Sequence, residues 1–172
     1  MALRPELGYP PDEVKRLLAP LRNDLSIAIY SLGNAFAVGA MIRVAHSFLV
    51  REIIVIGEEP WYEKASMGMQ KYEAIVRCHD DAAFFAHVGA RPLFAIERER
   101  ATVGLFDVER WPRDVVLAFG SERFGLPERV LSRADATVAI PMYGVNQSFP
   151  VAVAAGMVLS EWGRRRYREG GG

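Results

Sequence analysis

The stretch Leu25–Leu49, LSIAIYSLGNAFAVGAMIRVAHSFL, changes from one periodicity to another partway along. Leu25–Tyr30 is a short, continuous apolar run that suits a strand covered on both faces. Gly33 and Asn34 then permit a tight turn. From Phe36 to Leu49 the apolar residues recur at helical spacing. A buried strand, a tight turn and a helix make the opening unit of a layered α/β fold.

The same alternation runs outward in both directions. Val50–Gly57, Arg91–Ile96, Val115–Gly120 and Thr137–Ile140 read as further strands. Pro11–Leu21, Asp80–Val88, Pro127–Ser132 and Val151–Arg168 read as helices. Pro-Pro-Asp-Glu opens the first of these, and two acids open the second, as a helix N-terminus prefers. The pattern predicts an α/β domain: a mostly parallel sheet with helices on both faces. Residues 1–24 form an N-terminal extension, 25–168 the core, and 169–172 a frayed Gly-rich tail.

Composition narrows the class. Of 172 residues, 51% are apolar and 24% charged, which excludes wholesale disorder. No apolar run is long enough to span a bilayer, and the N-terminus lacks a signal-like apolar core, so no membrane partner is expected. One cysteine, Cys78, makes neither an internal disulfide nor a metal cluster. His46, His79 and His87 show no ligand spacing, so no metal is expected, and a reducing cytoplasm is the simplest home. The formal net charge is zero, whereas RNA-binding domains are often basic. The local run Arg164, Arg165, Arg166 and Arg168 is either a solvated helix end or a phosphate contact.

Three loops fall where strands end, which is where ligands gather in open α/β sheets. The first, Leu32–Arg43, follows the first strand; Gly39 would let the new helix pack closely on the sheet, and Asn34 would cap it. Arg43 lies amid apolar neighbours and is either structurally paired, exposed, or a guanidinium that grips phosphate. The second, Phe119-Gly-Ser-Glu-Arg-Phe-Gly-Leu126, has two glycines five apart around Glu122, suiting a backbone that approaches a ligand. The third, Ile140-Pro-Met-Tyr-Gly-Val-Asn-Gln-Ser-Phe-Pro150, leads into the last helix, where Ser148 would act as the cap.

In order and spacing, these three loops resemble the three motifs of the SpoU (TrmH-like) branch of the SPOUT methyltransferases. The resemblance spans Leu25 to about Arg166. It implies a parallel sheet with a C-terminal trefoil knot, a homodimer, and S-adenosylmethionine bound in the knot against Ile96, Gly120, Ile140, Ser148 and Phe149. The implied reaction methylates a ribose 2′-hydroxyl of tRNA or rRNA. Arg43 would hold RNA phosphate and help activate the hydroxyl, and Glu122 would orient Arg43 or the ribose.

Two positions depart from the family pattern. Ala37 and Pro150 stand where the family's catalytic centre usually has asparagine. Asn34 and Asn146 are nearby amides, and Asn34 is carried as a third catalytic candidate. The alternative function is therefore a catalytically weak or inactive relative that binds RNA or cofactor. In the connection Glu58–Lys71, Trp61, Tyr62, Lys64 and Lys71 either grip nucleic acid or pack back on the domain, the commoner fate of such aromatics.

Overall fold

The computed structural model describes residues 9–169. The first eight residues of the expected extension, Gly170–Gly172 of the expected tail and the side chain of Arg168 lie outside the described residues. The elements run α1 (Pro11–Leu18), β1 (Ser26–Tyr30), α2 (Ala35–Ser47), β2 (Ile53–Ile56), β3 (Ile75–Cys78) and α3 (Asp81–Val88), then β4 (Leu93–Ile96), β5 (Val103–Gly104), β6 (Val116–Phe119), α4 (Glu128–Arg133), β7 (Ala136–Ala139) and α5 (Val151–Glu169). The strands form one seven-stranded sheet in the order β3-β2-β1-β6-β4-β7-β5. Every pairing in it is parallel.

The side-chain alternation of the strands builds two cores. Ile27, Ile29, Val55, Leu117 and Phe119 pack with Val38, Met41 and Ile42 of α2 and with Val151, Ala155, Val158 and Leu159 of α5. Ala28, Ile54, Ile56, Ala95 and Ala118 point to the opposite face and pack with Phe84 and Val88 of α3 and Val130 of α4. All four residues of β2 are buried, which explains why this strand reads as an unbroken apolar run. Each such side chain contributes about 1.5–3 kcal/mol on burial.

The five expected strands and five expected helices are all present, with shifted ends. Pro11–Leu21 is an α-helix only to Leu18 and continues as a 3₁₀ turn, Ala19–Leu21, because Pro20 has no N–H and crowds the preceding turn. Glu169 belongs to α5 rather than to a tail. Two edge strands are new. β3 is four residues long and exposes Arg77, so it carries no continuous apolar run. β5 has two residues and pairs only with β7.

Gly39 does not face the sheet, as the sequence suggests. A Cβ there would stand 2.4 Å from the Tyr62 carbonyl and 2.8 Å from the Ala65 Cβ. It is the Glu58–Lys71 connection that this glycine admits against α2. Trp61 in that connection packs back on the core, and the Arg77 guanidinium lies 4.9 Å from its ring centroid. Tyr62, Lys64 and Lys71 remain exposed.

A buried carboxylate ties the end of this connection to the body. Glu73 is fully buried and accepts from Arg22 at 2.7 Å and from His46 Nδ1 at 2.7 Å. Burial alone would raise its pKa, but the bonds from His46 and Arg22 more than offset that and hold it below the usual carboxylate value. Because the folded value is the lower one, the stabilisation is complete above the unfolded pKa and is lost as pH falls through the folded one. Glu73→Ala leaves Arg22 and His46 without their shared anion and is expected to cost about 3–5 kcal/mol. Chemical denaturation at neutral pH measures it, and a loss below about 1 kcal/mol would show the network to be neutral.

Candidate active site

The carboxyl ends of β4, β6 and β7 open on a cavity of about 420 Å³. This volume lies in the range of small-molecule sites. Ile96 lines it from the end of β4, Gly120 and Glu122 from the loop after β6, and Ile140, Ser148 and Phe149 from the loop after β7. All five residues expected to hold a cofactor thus meet in one place, although they come from segments far apart in sequence.

The loop after β6 is a tight turn. Ser121 and Gly125 exchange backbone hydrogen bonds of 3.2 and 2.9 Å, and the buried Ser121 hydroxyl accepts from the Phe124 amide at 3.0 Å. Gly125 has φ +65°, where side chains are disfavoured. Gly120 faces this turn: a Cβ on it would stand 2.2 Å from the carbonyl carbon of Gly125 and 2.6 Å from the Leu126 amide nitrogen. The glycine therefore lets two stretches of backbone touch and form one wall of the cavity.

Ser148 does not cap α5. The Val151 amide donates instead to Glu122 Oε1 at 3.2 Å, and the Pro150 carbonyl accepts from Val153 and Ala154. An acid from the neighbouring loop suits a helix N-terminus, so Glu122 joins the second loop to the third. Pro150 needs no N–H in that place.

Asn34 stands at the N-terminus of α2 but makes no side-chain cap. It is 3% exposed; its Nδ2 donates to the Tyr30 carbonyl at 3.2 Å, and its Oδ1 has no partner. Arg43 is exposed on the outer face of α2, and its guanidinium has no hydrogen-bond partner among the described residues. Neither residue lines the cavity. Ala37 is buried in the core shared with α5, and Asn146 donates to the Ser148 carbonyl at 3.3 Å without lining the cavity.

The cavity also gathers residues that the sequence pattern did not single out. Glu97, Arg98 and Glu99 follow β4 directly; Arg123, Phe124 and Gln147, from the second and third loops, join them. The position of Glu97 just past a strand end was a usable signal. The described members of the basic run, Arg164, Arg165 and Arg166, are ion-paired. Arg164 and Arg165 both bond the buried Glu161, at 2.6 and 2.9 Å, and Arg166 pairs with Asp24 at 3.3 Å. The Arg164 bond, with help from Arg165, holds the Glu161 carboxyl down at about 2. The histidines are drawn into carboxylate contacts: His46 with Glu73, His87 with Glu52 and His79 with Asp80.

Comparison with known proteins matches residues 24–160 to the SpoU rRNA Methylase family. The tRNA (guanosine(18)-2′-O)-methyltransferase of Thermus thermophilus is 26% identical, over 91% of this chain and 83% of that protein. The 23S rRNA (guanosine-2′-O-)-methyltransferase RlmB of Acinetobacter baylyi is 27% identical, over 96% of this chain and 69% of that protein. The Aquifex aeolicus TrmH/SpoU tRNA modifying enzyme superposes with a TM-score of 0.76 at 24% identity, covering 93% of this chain and 84% of that one. The Streptomyces viridochromogenes SpoU methyltransferase AviRb, solved with AdoMet, gives 0.73 at 25% identity, covering 86% and 60%. Motif order, parallel sheet and family match agree, and the chain belongs to the SpoU rRNA Methylase family.

Proposed function

We propose that this chain is a methyltransferase that uses S-adenosylmethionine to methylate a ribose 2′-hydroxyl of tRNA or rRNA. The observation that carries the reading is the convergence of Ile96, Gly120, Ile140, Ser148 and Phe149 on one cavity. The residues present suit the cofactor. Ile96, Val138 and Ile140 provide an apolar bed for a purine, and Gly120 brings backbone to the wall, where an amide N–H can donate to a ring nitrogen and a carbonyl can accept from the exocyclic amine. Bound S-adenosylmethionine supplies a methyl group on a sulfonium centre.

A ribose hydroxyl is a weak nucleophile at neutral pH and needs alignment and help in losing its proton. Arg43 has the chemistry to provide both. Its exposed guanidinium grips an RNA phosphate through its fork and stabilises negative charge growing on the hydroxyl oxygen. Glu122 positions the start of α5 through the Val151 amide. Asn34 positions the loop after β1 through the Tyr30 carbonyl.

The working form in this reading is a cytoplasmic homodimer, folded as one knotted domain over residues 25–168. Phe36 and Arg43 share an exposed face of α2, while Val153 and Met157 expose an apolar face of α5. A partner covering these faces would carry Arg43 towards a cavity. The strand order supports the knot: β6 returns beside β1 after β4 and β5 are laid down, and β7 then enters between those two. The buried Cys78 thiol suits a reducing compartment. The alternative, a relative without catalysis, rests on Ala37 and Pro150. It is disfavoured by relatives named as methyltransferases along most of the chain.

Calorimetric titration with S-adenosylmethionine, followed by radiolabelled methyl transfer to total cellular RNA and nucleoside analysis, tests the reading. The expected outcome is binding in the micromolar range, about −8 kcal/mol, and a 2′-O-methylated nucleoside. A folded protein that binds no cofactor would overturn it.

A further inference from the structure

We propose that Glu97 is a specificity-determining residue that binds the vicinal hydroxyls of the cofactor's own ribose. The inference rests on reading the cavity as the S-adenosylmethionine site. Glu97 is the first residue after β4, and its side chain lines the cavity beside Ile96. Its Oε1 accepts from the backbone amides of Arg98 at 2.7 Å and Glu99 at 3.4 Å, which anchors that oxygen to the loop. Its Oε2 accepts no hydrogen bond among the described residues and stands 3.3 Å from where a Cβ on Gly125 would lie. The free oxygen is thus held between two walls of the cavity, the loop after β4 and the turn after β6.

No cation among the described residues neutralises it. Arg98 pairs with Glu99 at 3.8 Å, Arg100 pairs with Glu128, and Arg123, which also lines the cavity, lies over the Phe124 ring with its guanidinium carbon 5.1 Å from the centroid. A carboxylate oxygen that lies against the cavity with no protein donor is free to accept from a ligand. Two adjacent O–H groups suit it, because an ionised carboxylate only accepts and takes two parallel donors well. An acid at a strand's carboxyl end plays this part for a ribose hydroxyl in dinucleotide-binding sheets. Ile96, Val138 and Ile140 form the apolar bed for the purine, and Glu97 borders that bed.

The test is a calorimetric cycle on wild type and Glu97→Ala with S-adenosylmethionine, S-adenosylhomocysteine, 5′-methylthioadenosine and its 2′,3′-dideoxy analogue. The substitution is expected to weaken the first three by the same factor, about ten- to a hundredfold. The dideoxy analogue should lose that factor on the wild type and bind both proteins equally. A loss confined to S-adenosylmethionine would mean attraction to the sulfonium charge. A loss confined to the two ligands that carry the amino-acid group would mean recognition of the ammonium. A loss that persists with the dideoxy analogue would mean that Glu97 only supports its loop. Each of these overturns the proposal. Failure of the wild type to bind any of the four would overturn the cavity assignment itself, which separates the two conclusions.

Discussion

Replacing Gly120 by valine is expected to weaken S-adenosylmethionine binding by on the order of a hundredfold, about 3 kcal/mol, because the cavity wall must shift away from the ligand it contacts. The reason is steric and lies in the backbone. A Cβ at Gly120 would stand 2.2 Å from the carbonyl carbon of Gly125 and 2.6 Å from its oxygen. No rotamer relieves that contact, so the turn from Ser121 to Gly125 must move outward. Its movement breaks the Ser121–Gly125 bonds and shifts Glu122, which holds the first amide of α5. Two loops of the cavity are therefore displaced by one side chain. The chain should still fold, with a cost of about 1–3 kcal/mol for overpacking. Isothermal titration beside a thermal melt checks both. Binding within a few-fold of wild type would show that this turn is not part of the cofactor wall.

Arg43→Ala should act on turnover and leave everything else intact. Its guanidinium is exposed and has no partner among the described residues, so stability should change by no more than about 0.5 kcal/mol. It does not line the cavity, so the cofactor Kd should stay within about twofold. Loss of a group that stabilises the developing alkoxide and fixes the phosphate should lower kcat by about 10²–10⁴-fold. Arg43→Lys keeps the charge but not the planar fork, and should recover only part of that loss. Single-turnover methyl transfer at saturating cofactor is the measurement. An Ala variant with undiminished single-turnover rate would remove Arg43 from the chemistry and return it to the outer face of α2 as an ordinary solvated side chain.

The sequence alone determined the layered α/β class, the five strands β1, β2, β4, β6 and β7, and the family. These rest on short-range information: continuous apolar runs such as Ile53–Ile56 that only a doubly covered strand tolerates, and loops whose residue types and spacing are fixed within about a dozen positions. The family resemblance named five positions, Ile96, Gly120, Ile140, Ser148 and Phe149, that line one cavity. Tertiary structure alone decided the rest. β3 is broken as an apolar run by the exposed Arg77 and β5 has only two residues, and both exist because β2 and β7 offer free edges. The role of Glu122 at the start of α5 is a contact across 29 residues, which overrides the local expectation that Ser148 would cap. Arg164, Arg165 and Arg166 of the basic run were ambiguous until Glu161 and Asp24 proved to be their partners. Arg43 had apolar neighbours along the chain, yet helical geometry turns it outward between buried Ile42 and half-buried Val44. Local propensity acts over a few residues, whereas strand order, ion pairs and cavity walls join segments tens of residues apart. Those outcomes are selected by packing, which the linear pattern of one chain does not encode locally.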